Sequence, residues 1–418
     1  MSTSLNIYQS AAPGESGGAA PAIRRRWPLL GVSIIMFLSM GIFFSWSIFM
    51  PSLERQFGWD RAQTSLPFSI CLASFCVGCI CTGIFSKFWA GRVNIRISAV
   101  LVCGGLFLAA TADSLAEVYI GYGVLMGLGL GIAYNAILSA MLRWFPDRLG
   151  LASGMLMMGF GLGSMLISAA GSAMIAAFDW QFAMRFCGLM TGGCLALGSF
   201  FIAPPGQGVE FPPAPEGKKA PAEKRLELTT PEMIRRRSFY VYFAWATLIY
   251  ATGLMLMGHA VPLLQDLGAA AGQTGALAGI IAACNGLGRL FSGLALDRYG
   301  RKILMRGVCF CFIAASAVTM LSIKGGSLLL LCLAFAWAGL GYGATASCTA
   351  AIASLFYGMK SYSLNFSLLN CSVISASVLG PYLAGKLYMA TGGYSAMSLA
   401  MLSFAGLALL LSALLKKP

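Results

Sequence analysis

Ionisable side chains are scarce in this chain of 418 residues. Only 10% are Asp, Glu, Lys or Arg, against about 25% in an ordinary soluble domain. Histidine occurs once, at His259, and none of the 14 acidic residues falls in the middle of a long apolar run. General acid–base catalysis therefore has little to work with, and an enzyme is the least supported class. No phosphate loop of the GxxxxGK[ST] type is present, so ATP is not implied. Cys76-x-x-Cys79 is the single metal-like spacing among 13 cysteines, and a zinc site needs further ligands close by. The cysteines read as small packing residues, and neither metal nor cofactor is expected.

Apolar sequence fills the rest. Hydrophobic residues make up 58% of the chain, in runs of about 20, the length that crosses a bilayer as a helix. Twelve such runs are predicted, near 28–50, 65–86, 97–115, 118–141, 150–175, 184–203, 240–264, 273–295, 304–322, 327–351, 362–385 and 394–415. A soluble fold could not hide that much apolar surface. The expected architecture is an all-α integral membrane protein of twelve transmembrane helices in two pseudo-symmetric halves of six.

Residues 1–23, rich in Ser, Gly, Ala and Pro, read as a disordered tail. Arg24–Arg26 then lead straight into a full-length span, with no cleavable signal evident. The first half is expected over 24–203, a polar Pro-rich linker over 204–237, and the second half over 238–418. The halves echo one another: Gly127-Leu-Gly129 precedes Trp144-Phe145 as Gly339-Leu-Gly341 precedes Leu355-Phe356. Small residues let membrane helices approach closely, and duplicated halves usually hold a ligand between them near the midplane.

The net charge of +14 would suit nucleic acid, but its placement argues against that partner. With both termini inside, 22 of the 28 Lys and Arg fall on the cytoplasmic side and five (Arg55, Arg61, Arg185, Lys324, Lys386) outside. This is the positive-inside bias, and the basic excess is topology.

Arg289 is the remaining basic residue. It lies inside ALAGIIAACNGLGRLFSGLAL with no acid nearby. A charge at that depth costs about 2.5–3.5 kcal/mol or more, and it usually survives by lining a wet cavity and binding something. The guanidinium is permanently protonated, and its planar fork matches a carboxylate. A snorkelling or structural arginine is the alternative; Asp297, eight residues on, is about 12 Å away along the helix and too far to pair directly. Asn285 shares the Arg289 face at i−4, with Ser292 near its lower edge. His259, in Gly258-His259-Ala-Val-Pro262, reads either as a buried neutral histidine or as the best-placed proton carrier. Tyr134 and Tyr342 follow the paired glycine-rich stretches, and a buried tyrosine needs a hydrogen-bond partner. Phe43, Phe44, Phe160, Trp337, Asn370 and Cys371 are further candidates for the walls of a site.

Gly293-Leu-Ala-Leu-Asp297-Arg298-Tyr-Gly300-Arg301-Lys302 resembles the loop signature of the major facilitator superfamily between spans 8 and 9. Asp297, Arg298 and Arg301 would then form a gating loop. The matching loop after span 2, Gly83-Ile-Phe-Ser-Lys87-Phe-Trp-Ala-Gly91-Arg92, has Lys87 where that pattern expects aspartate. FSWSIFMPSLERQFGW (Phe44–Trp59), RWFPDRLGLASG (Arg143–Gly154) and PEMIRRRSFY (Pro231–Tyr240) resemble the branch of monocarboxylate transporters and oxalate/formate antiporters. Asn285-x-x-x-Arg289 looks like that branch's substrate site, above all in bacterial lactate transporters, and the resemblance also puts a pocket histidine at His259.

Two departures narrow the expectation. Oxalate carriers bring a span 11 lysine to the second carboxylate, and its place here falls near Val373. A dianion would leave one charge unpaired in a low-dielectric site, which favours a monocarboxylate. Animal monocarboxylate carriers place aspartate at Asn285, and asparagine cannot carry a proton. The resemblance therefore implies a secondary transporter for a small monocarboxylate such as L-lactate or pyruvate, with proton symport, as a monomer in a bacterial inner membrane, both termini cytoplasmic. Exchange of organic anions and a non-transporting receptor for an organic acid are the other readings.

Overall fold

A backbone in hydrocarbon must satisfy its own polar groups, and only helices and closed barrels do so. In a computed structural model, which describes residues 19–85, 90–203, 205 and 226–416, the apolar runs are all helical. The expected tail up to residue 18, Lys87 and most of the linker lie outside the described residues. Spans 1 to 6 are Arg26–Phe44, Leu66–Phe85, Gly91–Ala110, Leu115–Trp144, Leu149–Ala177 and Trp180–Gly198. Spans 7 to 12 are Arg237–Gly258, Leu277–Tyr299, Arg301–Gly325, Leu328–Tyr357, Tyr362–Thr391 and Ser395–Leu414.

Eleven of these are long and apolar enough to cross a membrane by composition alone. Span 6 is the exception: it is as long as span 1, at 19 residues, but Gln181 and Arg185 make it less apolar. Two boundaries differ from expectation. The first helix starts at Ala19, inside the expected tail, because Ala19, Ala20 and Ala22 are strong helix formers. The end of the linker is also structured. Leu228 N donates to the Tyr357 carbonyl at 2.9 Å, and the Glu227 carboxylate accepts from Met359 N and Lys360 N at 2.9 and 2.6 Å. A short helix, Thr230–Ile234, then leads into span 7.

Twelve spans put both chain ends at one face of the bundle, called here the terminal face. Arg26 and Asp147 tie span 1 to the span 4–5 connection there, at 2.7 and 3.1 Å, both side chains buried. Within each half, glycines let spans pass backbone to backbone. A Cβ on Gly131 of span 4 would collide with the Phe75 carbonyl of span 2, and one on Gly343 of span 10 with the Asn285 carbonyl of span 8. The paired glycine-rich stretches thus fix corresponding crossings in the two halves.

Several spans are interrupted. Span 1 tightens to a 3-10 turn over Met40–Phe44, span 4 widens to a π-helix over Tyr119–Met126, and span 11 breaks at Cys371. Irregular backbone at membrane depth is tolerated where protein or a cavity surrounds it.

Candidate functional site

A cavity of about 1180 Å³ lies between the halves. Its walls come from the parts of the spans remote from the terminal face: Phe44, Phe68 and Leu72 on one side, Leu254, Met257 and Ile374 on the other. Ser69, Ser164, Ser168 and Ser377 add hydroxyls to a mainly apolar lining. Toward the terminal face, a cavity of about 230 Å³ bordered by Arg143, Leu149, Ser354 and Leu355 lies between the halves. The bundle is therefore open at one face and closed at the other.

Closure rests on two inter-half crossings. At the first, Gly150 and Gly154 of span 5 lie against Gly293 and the Arg289 carbonyl of span 8. Below it, the Asp297 carboxylate accepts from Gly150 N and Leu151 N, each at 2.9 Å. Those amides open the span 5 helix, where unpaired N–H groups and the helix dipole favour an anion. At the second, Asn135 of span 4 donates to Ser367 Oγ at 2.8 Å and the Ser363 carbonyl at 2.9 Å on span 11.

Arg289 lies at the first crossing, one turn beyond the cavity-lining Asn285 on span 8, and is not itself among the residues that line the cavity. It is 5% exposed. Its Nε donates to Asn285 Oδ1 at 3.1 Å and its Nη1 to the Met157 carbonyl at 3.1 Å. No hydrogen bond to Nη2 and no carboxylate partner exists among the described residues. Asn285 itself lines the cavity. The i, i+4 neighbours are hydrogen-bonded to each other, but of the two expected to face one cavity only Asn285 lines it; its amide steadies the guanidinium and leaves part of the fork unbonded. The Ser292 hydroxyl turns back to the Arg289 carbonyl at 3.0 Å and is occupied there.

Phe160 links Arg289 to an aromatic cluster. The guanidinium carbon stands 5.9 Å from its ring centre, and Tyr134, Phe43 and Phe44 pack on the same ring at 5.6, 5.7 and 5.3 Å. Tyr134 is buried among Phe37, Phe75, Phe160 and Phe366, and its hydroxyl has no hydrogen bond among the described residues. Tyr342 lines the cavity and rests edge-on against Tyr250 at 5.3 Å.

Other expected residues stand elsewhere. His259 ends span 7, with Nδ1 3.4 Å from the Tyr394 hydroxyl and Nε2 3.5 Å from the Pro381 carbonyl. Its neighbour Gly258 and Pro381 line the cavity, but among the described residues His259 has no hydrogen bond to Arg289, Asn285, Tyr134 or Tyr342. Phe43 is buried behind Phe44, which faces the cavity. Asn370 ends the first segment of span 11 and Cys371 is the break itself, its free thiol beside that of Cys76 in the other half. Trp337 is 43% exposed on the outside of the bundle, and the wall expected of it is made by Tyr342. Asp297 and Arg298 lie on the end of the span 8 helix, and Arg301 opens the next with its guanidinium 4.2 Å from the Phe356 ring centre. The expected loop is therefore reduced to Gly300.

Comparison with known proteins agrees with this architecture. The Major Facilitator Superfamily model matches residues 32–261 and 243–418. The oxalate:formate antiporter of Oxalobacter formigenes is 27% identical over 288 residues, 69% of this chain and 67% of that protein. Monocarboxylate transporter 4 of Gallus gallus is 25% identical over 395 residues, 91% of this chain and 80% of the relative. Monocarboxylate transporter 3 of Rattus norvegicus is 26% identical over 381 residues, 88% and 75% of the two chains. Among solved structures, the transporter FucP in the outward conformation superposes with a TM-score of 0.72 at 14% identity, over 94% of this chain and all of that one. Twelve spans in two halves with a large cavity between them and a family match along nearly the whole sequence place this chain in the Major Facilitator Superfamily, as a membrane transporter related to the monocarboxylate transporters and the oxalate:formate antiporter.

Proposed function

We propose that this transporter carries a small monocarboxylate such as L-lactate or pyruvate, together with a proton, across a bacterial cytoplasmic membrane. The observation that carries the reading is the buried guanidinium of Arg289, one turn beyond the cavity-lining Asn285 and without a carboxylate partner among the described residues. A buried cation without an acidic partner is costly, and a substrate carboxylate relieves that cost by making two parallel charged hydrogen bonds. One guanidinium suits one carboxylate, and the apolar walls suit a short hydrocarbon tail. Asn285 orients the fork, Tyr342 lines the cavity, and Tyr134 packs on Phe160, the ring beside the guanidinium.

With both termini cytoplasmic, as the distribution of Lys and Arg favours, the cavity faces outward and the terminal face is the cytoplasmic gate. Acid enters from outside and is bound at Arg289. The seals at Asp297 and Asn135 then part as the halves rock, and the acid leaves inward. The proton travels on the acid itself or by way of His259 near the cavity mouth. The chain works as a monomer.

The antiporter among the relatives supports exchange as a second reading. Labelled L-lactate uptake into proteoliposomes separates the two. Uptake driven by an inward proton gradient alone supports symport, and uptake that requires an internal load of formate or oxalate supports exchange. Absence of L-lactate flux in both arms rejects L-lactate as the substrate.

A further inference from the structure

Arg289 belongs to the C-terminal half, yet one of its two hydrogen bonds crosses to the other half. Nη1 donates to the Met157 carbonyl of span 5, while Nε stays on its own helix with Asn285. Ser347 of span 10 braces the same point. Its hydroxyl is 3.1 Å from the Arg289 carbonyl and 3.8 Å from Met157 Sδ.

Met157 shares a helix face with Gly150 and Gly154, and Arg289 shares one with Gly293, so the Arg289–Met157 bond lies on the crossing that closes the terminal face. It is also the contact of that crossing that borders the cavity, because Asn285 and Gly161, one turn away on each helix, both line it. A ligand reaching Arg289 from the cavity therefore meets a donor already engaged in the seal.

The two acceptors are unequal. The Met157 carbonyl is neutral, whereas a carboxylate is charged and offers two oxygens in the plane of the fork. The carbonyl also keeps the i+4 bond of its own helix when the guanidinium leaves, so its release exposes no unsatisfied group. We propose that the substrate carboxylate takes Nη1 from the Met157 carbonyl, so that loading the site and undoing the innermost inter-half contact are one event. This rests on the carboxylate reading of Arg289 given above. In the empty carrier the same bond draws the halves back together at the terminal face after the substrate is released.

A binding residue that plays no part in the seal would leave the empty carrier's conformation unchanged when removed. Hydrogen–deuterium exchange of the full-length protein in nanodiscs distinguishes the cases, read on peptides covering 145–156 and 294–302, with and without L-lactate. For Arg289→Ala without ligand, exchange on both peptides should quicken on the order of tenfold, the factor one hydrogen bond to a charged group commands. Wild type should move the same way on adding L-lactate, while span 12 stays unchanged as a control for folding. Ser347→Ala, which keeps the guanidinium, should give a smaller shift in the same direction. Ligand-free exchange equal to wild type in both variants overturns the proposal, even if Arg289→Ala has lost uptake, and leaves the carboxylate reading standing. Fast exchange in ligand-free Arg289→Ala, with no wild-type response to L-lactate, pyruvate or formate, overturns the carboxylate reading and with it the displacement step.

Discussion

Replacing Gly293 by alanine should cripple the transporter without touching the cavity. A Cβ there would overlap the Gly150 carbonyl oxygen and lie 2.9 Å from its carbon and 3.2 Å from the Gly154 Cα. All three are backbone atoms of a helix and cannot step aside. Restoring ordinary carbon contact, about 3.5–4.0 Å, requires spans 5 and 8 to part by roughly an ångström at this level. Asp297 lies one turn below, and its bonds to Gly150 N and Leu151 N stretch with that separation. A hydrogen bond to a charged group contributes about 1.5–3 kcal/mol, so loss of one lowers the ratio of closed to open at the terminal face by roughly 10- to 150-fold. External acid binds that state, and its apparent KM rises as the closed fraction falls, by up to about tenfold or more. Gly286→Ala, seven residues earlier on the same helix, is the control, because a Cβ there meets only Leu162 Cδ2 at 3.8 Å. Initial rates of labelled acid uptake against external concentration give both KM values. An unchanged KM for Gly293→Ala, or an equal rise in both variants, refutes the reasoning.

Three further outcomes follow from the same contacts. Asn285→Ala removes the acceptor 3.1 Å from Arg289 Nε and frees the guanidinium to turn; KM for the acid should rise about tenfold in uptake assays, by the loss of one charged hydrogen bond. Arg26→Ala takes both hydrogen bonds from the buried Asp147 carboxylate and leaves it only the 3.8 Å contact of the more exposed Arg148; the cost, at most about 3–5 kcal/mol, should lower the melting temperature of the purified protein. Arg26→Met with Asp147→Leu should recover most of that loss. Asn135→Ala removes the bonds to Ser363 and Ser367 and should quicken deuterium exchange over 359–368, with Arg289 chemistry intact.

Much of this was legible from the chain because the bilayer permits so few structures. Spans could be counted from runs of apolar residues, and Arg289 identified because a lone charge there has few explanations. The Asn285 contact followed from helical spacing alone. The cavity walls were not legible. Helices that are apolar all round give no sign of which face meets lipid, so nothing in the chain excludes Trp337, a weaker candidate than Tyr342, from the walls. Phe68, Leu72, Leu254 and Ile374 carried no signal that separates a wall from packing. The seal was hidden for another reason. Gly150, Gly154 and Gly293 are three among 51 glycines, and their meeting depends on how two halves dock. The Met157 acceptor is a backbone carbonyl, which every residue has.

The central claim is that Arg289 binds the carboxylate of the transported acid. Its most direct test is uptake of labelled L-lactate into proteoliposomes under an inward proton gradient, with wild type and Arg289→Ala at matched amounts of folded protein. Loss of one or two charged hydrogen bonds, about 1.5–3 kcal/mol each, predicts uptake reduced by roughly tenfold to more than a hundredfold in the variant. Uptake by Arg289→Ala close to the wild-type rate would contradict the account.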